Sequence, residues 1–181
     1  MINIMKTVVI HITKAVERDD LVKQIVDLTG ATIFEAILHE KGGIGCTMSH
    51  KEIYKQSYPE DLLIFEDDCQ INDPSFVKFI EESKDKYDII YIGVNKIFYK
   101  NTINSFFQKN KINSYGTHAM WISPKAINLY LNYNPKSMEI DNIWSEIENK
   151  YNLKVWRPTN IYKYVEQRVG LKSYITGKLR T

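Results

Sequence analysis

Apolar residues cluster along this chain in two rhythms. Val8, Val9 and Ile10 stand together within residues 6–12, and Leu62, Leu63, Ile64 and Phe65 form an unbroken run. Runs this short, bounded by polar residues, predict strands covered on both faces. Residues 32–38, 87–92, 118–122 and 153–156 are further strand candidates, with Gly93 closing the second of these. Between the strands the spacing lengthens to three and four. Leu21, Val22, Ile25, Val26 and Leu28 predict a helix over 20–28, stopped by Gly30. Gly42, Gly43 and Gly45 open a second helix that runs to about Tyr58, before Pro59. Asp73-Pro74 and Ser123-Pro124 read as helix starts, and Ile140, Ile143, Trp144 and Ile147 mark an amphipathic helix over 139–150. Residues 94–113 mix Lys and Asn with aromatics without a period and read as a long loop, of the kind that closes over substrates. After Arg157-Pro158 the tail is basic and has no clear period.

Strands alternating with helices predict an α/β fold: αβα layers around a mixed, mostly parallel sheet. At 181 residues and 21.2 kDa, residues 1–181 are expected to form one domain. The 24 Lys and Arg against 22 Asp and Glu leave a net charge of +2, too small a surplus to sweep a nucleic-acid backbone. A nucleic-acid partner is therefore not expected. Cys46 and Cys69 stand outside any CxxC pair, and no apolar stretch reaches the roughly 20 residues that span a bilayer. With no Asn-x-Ser/Thr sequon in the chain, these features point to a cytoplasmic protein with reduced thiols and no transmembrane segment.

The sharpest chemical feature is Glu66-Asp67-Asp68, placed where the buried run 62–65 ends. Three adjacent carboxylates repel one another, so positive charge should sit beside them. Glu66 and Asp68, two apart on an extended segment, can face the same way and offer oxygen ligands to Mg²⁺ or Mn²⁺. A solvated acidic turn is the alternative. Upstream, Gly43-Ile44-Gly45-Cys46-Thr47-Met48-Ser49-His50 sits at a helix start, where glycines permit close backbone approach and free N–H groups suit an anion. No Gly-Lys-Ser/Thr follows, and Met48 spoils a dinucleotide fingerprint. Cys46 and His50, four apart on one helix face, are either a thiolate–imidazole pair or, more simply, packed interior residues.

Taken together, Gly42 to His50 and the apolar strand ending in Glu66-Asp67-Asp68 resemble glycosyltransferase family 25, the lipopolysaccharide-type sugar transferases related to collagen galactosyltransferases. Gly116-Thr117-His118-Ala119-Met120-Trp121-Ile122-Ser123 is similar to a later strand of that family, and Asp141 matches an acid near its following helix. The resemblance implies a GT-A fold and sugar transfer, from a UDP-hexose donor to a hydroxyl of a glycan or glycolipid acceptor. It implies that Gly43, Gly45, Ser49 and His50 shape the donor site. Glu66 would meet the ribose or the metal shell, Asp67 would support it, and Asp68 would hold Mn²⁺ or Mg²⁺. Arg168 and Lys172 would balance charge on the departing diphosphate. Asp141 is the expected base for an inverting transfer, with a helix-end charge as its plainer reading. His118 is either a pocket residue or a core histidine. A nucleotidyltransferase would place a glycine-rich basic loop at Thr13-Lys14-Ala15, and a catalytically silent glycan- or partner-binding domain would not require the three acids.

Overall fold

The computed structural model describes residues 5–94, 96–100, 111–160, 162–168 and 171. Its centre is a six-stranded sheet built from β1 (Lys6–His11), β2 (Thr32–Glu35), β3 (Leu62–Glu66), β5 (Ile89–Gly93), β8 (Ala119–Ile122) and β9 (Val155–Trp156). The order across the sheet is β2-β1-β3-β8-β5-β9. The pairs β1–β2, β1–β3 and β5–β9 are parallel, and β8 runs antiparallel to both its neighbours. The expected mixed, mostly parallel sheet is therefore present.

Strand side chains alternate between two cores, which explains why these strands are apolar at every position. Val8, Ile10, Leu62, Ile64, Tyr91 and Met120 pack on one face with α2 (Gly42–Ser57), α4 (Pro124–Leu131) and α5 (Ile140–Tyr151). Val9, Leu63, Phe65, Ile90, Ile92 and Trp121 face the other way, against α1 (Asp19–Thr29) and α3 (Phe76–Ser83). Gly30 ends α1 in the left-handed conformation at φ 68°, and Ser123 Oγ caps α4 by accepting from the Ala126 N–H at 3.2 Å. Asp73 instead closes a turn through the Ser75 N–H at 2.9 Å, and α3 starts two residues later than Pro74.

Three expectations change. The second strand stops at Glu35, and residues 36–41 leave the sheet to reach α2. The supposed loop over 94–113 contains β6 (Lys96–Lys100) and β7 (Lys111–Tyr115), paired antiparallel from Lys96↔Tyr115 to Lys100↔Lys111; residues 101–110 lie outside the described ones. Backbone pairing builds this ribbon without the alternation that marks a half-buried strand, so periodicity gives no warning of it. The tail is not structureless either: β10 (Val165–Gln167) pairs antiparallel with β4 (Cys69–Ile71), a short strand missed because three residues carry no readable period. Among the described residues no helix is long and apolar enough to cross a membrane.

Helices α1 and α2 cover opposite faces: the chain leaves β1 through α1 to β2 on one side of it, and crosses back through α2 to β3 on the other. Such a reversal opens a crevice at the carboxyl ends of the strands. Here that is where His11 and Glu66 end β1 and β3, with Ile10 in register with Glu66. A buried clamp ties these ends together. The Asp67 carboxylate accepts from the Ile12 N–H at 3.0 Å and bonds His11 Nδ1 at 3.0 Å and the Arg18 guanidinium. Arg18 and Asp67 are both at least nine-tenths buried. On α2, a Cβ added to Gly45 would lie 2.5 Å from the Ile37 carbonyl oxygen and 3.1 Å from the His39 nitrogen. Backbone passes backbone there, and only glycine fits.

Asp67→Ala should destabilise the fold by about 3–5 kcal/mol, the usual cost of leaving a buried ion-pair partner uncompensated, as read by urea unfolding. A loss below about 1 kcal/mol would show that the clamp does not hold the strand ends. Gly45→Ala should cost roughly 1–3 kcal/mol through overpacking, while Gly43→Ala, whose Cβ meets only Glu139 Cγ at 3.8 Å, should change thermal unfolding little. Equal melting temperatures for the two variants would contradict the close approach.

Candidate active site

A cleft of about 680 Å³, counting its open mouth, lies over these strand ends. Its walls are Ile10 and Ile12 after β1, Arg18, residues 36–39, the start of α2 at Gly42 and Cys46, and Glu66, Asp67 and Asp68. The three acids thus meet one cavity but have different surroundings.

Glu66 is the acid that reaches solvent, with its side chain 17% exposed. Its Oε1 lies 3.7 Å from Cys46 Sγ and 3.5 Å from His50 Nε2, and its N–H donates to the His118 carbonyl at 2.7 Å. Asp67 is committed to the clamp. Asp68 is 1% exposed, accepts from Gln167 Nε2 at 3.2 Å, and lies 3.8 Å from the Arg18 guanidinium. Its carbonyl also accepts the Arg168 N–H at 2.9 Å, so the ribbon of β4 and β10 closes onto the acidic turn.

The extended geometry expected for Glu66 and Asp68 does not occur. β3 ends at Glu66 and the chain turns through Asp67 and Asp68, sending Glu66 toward α2 and Asp68 toward β10. The positive charge demanded by three adjacent acids is present within the chain as Arg18. Burial opposes its charge, but Asp67 and Asp68 outweigh that and hold its pKa above the ordinary value. Sequence reasoning missed Arg18, His11 and Gln167. Arg18 follows the first strand in the connection to α1, where a lone arginine has no spacing to single it out.

The glycine segment is largely scaffold. Ser49, fully buried, donates to the Gly45 carbonyl at 2.9 Å and accepts the Ile37 N–H at 2.8 Å, stitching α2 to the strand-exit segment. His50, also fully buried, bonds the Tyr54 hydroxyl at 3.0 Å through Nδ1. A Cβ at Gly43 would make only an ordinary contact with Glu139, whereas Gly45 is needed for packing. Burial, and next the charge of Glu66, raise the Cys46 thiol well above its usual pKa, so it stays protonated and the nucleophile reading loses its chemistry.

Asp141, in the first turn of α5, accepts from the Gly116 N–H at 3.2 Å and the Thr117 N–H at 3.0 Å, fixing the entry to β8. Burial and then the Glu66 charge raise its pKa. The N–H bonds from Gly116 and Thr117 favour the ionised form but do not outweigh burial and Glu66. His118 is 1% exposed and fills the space beside Gly93, consistent with a core histidine. Arg168 pairs with Asp20 at 2.9 Å on the surface of α1, while Lys172 lies outside the described residues.

The fold is similar to several solved structures. The A197 protein of STIV aligns over 97% of this chain and 93% of its own, at 11% identity and a TM-score of 0.56. A PBCV-1 glycosyltransferase involved in glycosylation of the major capsid aligns over 90% and 93%, at 13% identity and 0.52. A Drosophila beta-1,4-galactosyltransferase 7 variant, in complex with manganese, UDP-Gal and xylobiose, aligns over 90% and 70%, at 8% identity and 0.52. These likenesses show a GT-A-type fold. No curated protein matches the chain. The model of Glycosyltransferase family 25 (LPS biosynthesis protein) matches residues 13–144, which takes in most of the cleft wall, the glycine segment, the acidic turn and Asp141. The chain is a glycosyltransferase and belongs to glycosyltransferase family 25.

Proposed function

We propose that this glycosyltransferase moves a hexose from a UDP-sugar to a hydroxyl of a glycan or glycolipid acceptor, with inversion and with a divalent cation. The observation that carries this reading is the placement of Glu66, Asp67 and Asp68 along the wall of one cleft at the strand ends of a family 25 chain. The fold neighbour that binds manganese and UDP-Gal lends support to the choice of donor and metal. Glu66 and Asp68 both line the cleft and carry the oxygen ligands a hard ion takes, and a side-chain rotation from their contacts with α2 and β10 would bring them onto one ion. Bound there, Mn²⁺ or Mg²⁺ would contribute positive charge to the donor diphosphate.

The chain's own residues account for the remaining requirements. Arg18 and Asp67 form a rigid wall that keeps the acidic turn in place. Gly43, Gly45, Ser49 and His50 shape the donor side through the backbone path of α2 and residues 36–39. Arg168, close to the acidic turn through its N–H bond to Asp68, offers a cation to the leaving phosphate, a role Lys172 could share. Asp141 takes the proton from the attacking hydroxyl. Burial and the Glu66 charge raise its pKa, which makes it a stronger base than an exposed aspartate.

A thermal-shift series with UDP-sugars, with and without Mn²⁺, tests the donor reading directly, because a ligand that binds the folded state stabilises it as RT ln(1 + [L]/Kd). Asp68→Asn should abolish the Mn²⁺-dependent part of the UDP-sugar shift while the unliganded protein still unfolds cooperatively. Equal shifts in wild type and variant would remove Asp68 from metal binding.

Asp141→Asn should lower kcat by about two orders of magnitude or more while leaving donor binding intact. In the wild type, kcat should fall as pH drops through a value above the usual aspartate 3.8, because the base works only when deprotonated and its pKa is raised. Near wild-type turnover in the variant, or an acid limb at the ordinary aspartate value, would assign the base to another carboxylate.

A further inference from the structure

Cys46, His50 and Glu66 bring one sulfur, one nitrogen and one oxygen donor within 4.8 Å of one another. We infer that they form a binding site for a borderline-soft divalent cation of the Zn²⁺ class, which overlaps the hard-ion site proposed at the acidic turn through Glu66. A thiolate and an imidazole beside a single carboxylate suit zinc, whereas Mg²⁺ and Mn²⁺ favour oxygen.

Geometry supports the same conclusion. Around a tetrahedral zinc, bond lengths of about 2.3 Å to sulfur and about 2.0 Å to nitrogen and oxygen set ligand-to-ligand edges of roughly 3.3–3.5 Å. The Sγ to Oε1 separation is 3.7 Å and the Nε2 to Oε1 separation is 3.5 Å, so a shift of a few tenths of an ångström completes these two edges. Cys46 and His50 lie four apart on α2, which places both donors on one helix face and within 4.8 Å of each other.

The surroundings of His50 match those of a metal-binding imidazole. Ligand histidines almost always anchor their second ring nitrogen, and His50 Nδ1 lies 3.0 Å from the Tyr54 hydroxyl. That hydroxyl also accepts from Trp144 Nε1 at 3.1 Å, and all three side chains are fully buried. With two lone pairs the tyrosine oxygen can accept from both rings, leaving His50 Nε2 to face Glu66 with its lone pair. On binding, the Cys46 thiol gives up its proton to solvent and its sulfur becomes the ligand. Cys46 and Glu66 line the cleft, so the fourth coordination position opens to it.

The site shares Glu66 with the proposed donor site but does not depend on that reading. The test uses the full chain, stripped with a chelator and titrated with Co²⁺ as a spectroscopic stand-in for Zn²⁺. The expected result is an intense thiolate-to-metal charge-transfer band that saturates at one ion per chain and is displaced by Zn²⁺ but not by an equal concentration of Mg²⁺. Cys46→Ser should remove the band. Asp68→Asn, which addresses the hard-ion site, should leave Co²⁺ affinity within about twofold, whatever it does to UDP-sugar binding. X-ray absorption of the zinc-loaded wild type should show one sulfur neighbour among nitrogen and oxygen, independently of any variant's folding. Absence of the band in the wild type, its persistence in Cys46→Ser, its loss in Asp68→Asn, or a zinc shell without sulfur would each overturn the assignment.

Discussion

The Asp67 carboxylate holds the ends of two parallel strands together, and the geometry of the cleft follows from that clamp. One oxygen accepts from the Ile12 N–H and meets His11, and the other binds Arg18. Burying an ion pair gains little net stability over apolar packing, but breaking one is costly. The clamp therefore acts more through placement than through energy. It fixes where β1 ends, where the connection to α1 begins, and how the chain turns after Glu66.

Arg18 also changes the electrostatics of the acidic turn. Three successive carboxylates would repel one another strongly in a low-dielectric setting. With its guanidinium beside Asp67 and 3.8 Å from Asp68, one positive charge from within the chain offsets part of the charge of these two acids. Glu66 is left as the acid that reaches solvent in the cleft, and after burial its charge is the next cause of the raised pKa values of Cys46 and Asp141.

The glycine segment shows how a motif can serve two purposes. Gly45 lets helix backbone pass against Ile37 and His39, and Ser49 bonds both Gly45 and Ile37. These contacts hold residues 36–39 along the cleft, so the segment shapes a ligand site by fixing a neighbouring loop. The ribbon of β4 and β10 does similar work from the opposite side, bringing Gln167 and Arg168 to Asp68.

Local composition was enough to determine the main strands, the helices, the α/β class and the two motifs that carry the family resemblance. Buried strands announce themselves by unbroken apolar runs, and α1 and α5 by three- and four-residue spacing, because burial acts on neighbouring positions in the chain. Gly30 and Ser123-Pro124 were legible for the same reason: caps are local chemistry. The partners of each acid were not legible. Arg18 is 49 residues from Asp67, Gln167 is 99 from Asp68, and the Thr117 N–H is 24 from Asp141. Short ribbons such as β4 with β10 and β6 with β7 escaped as well, since their stability lies in pairing across the chain and not in any residue period. The sequence by itself placed the carboxylates at the end of a strand; only the tertiary structure decided that Asp67 is a clamp, Asp68 a buried acceptor and Glu66 the exposed charge, because burial and long-range hydrogen bonds divide roles that three adjacent acids cannot reveal.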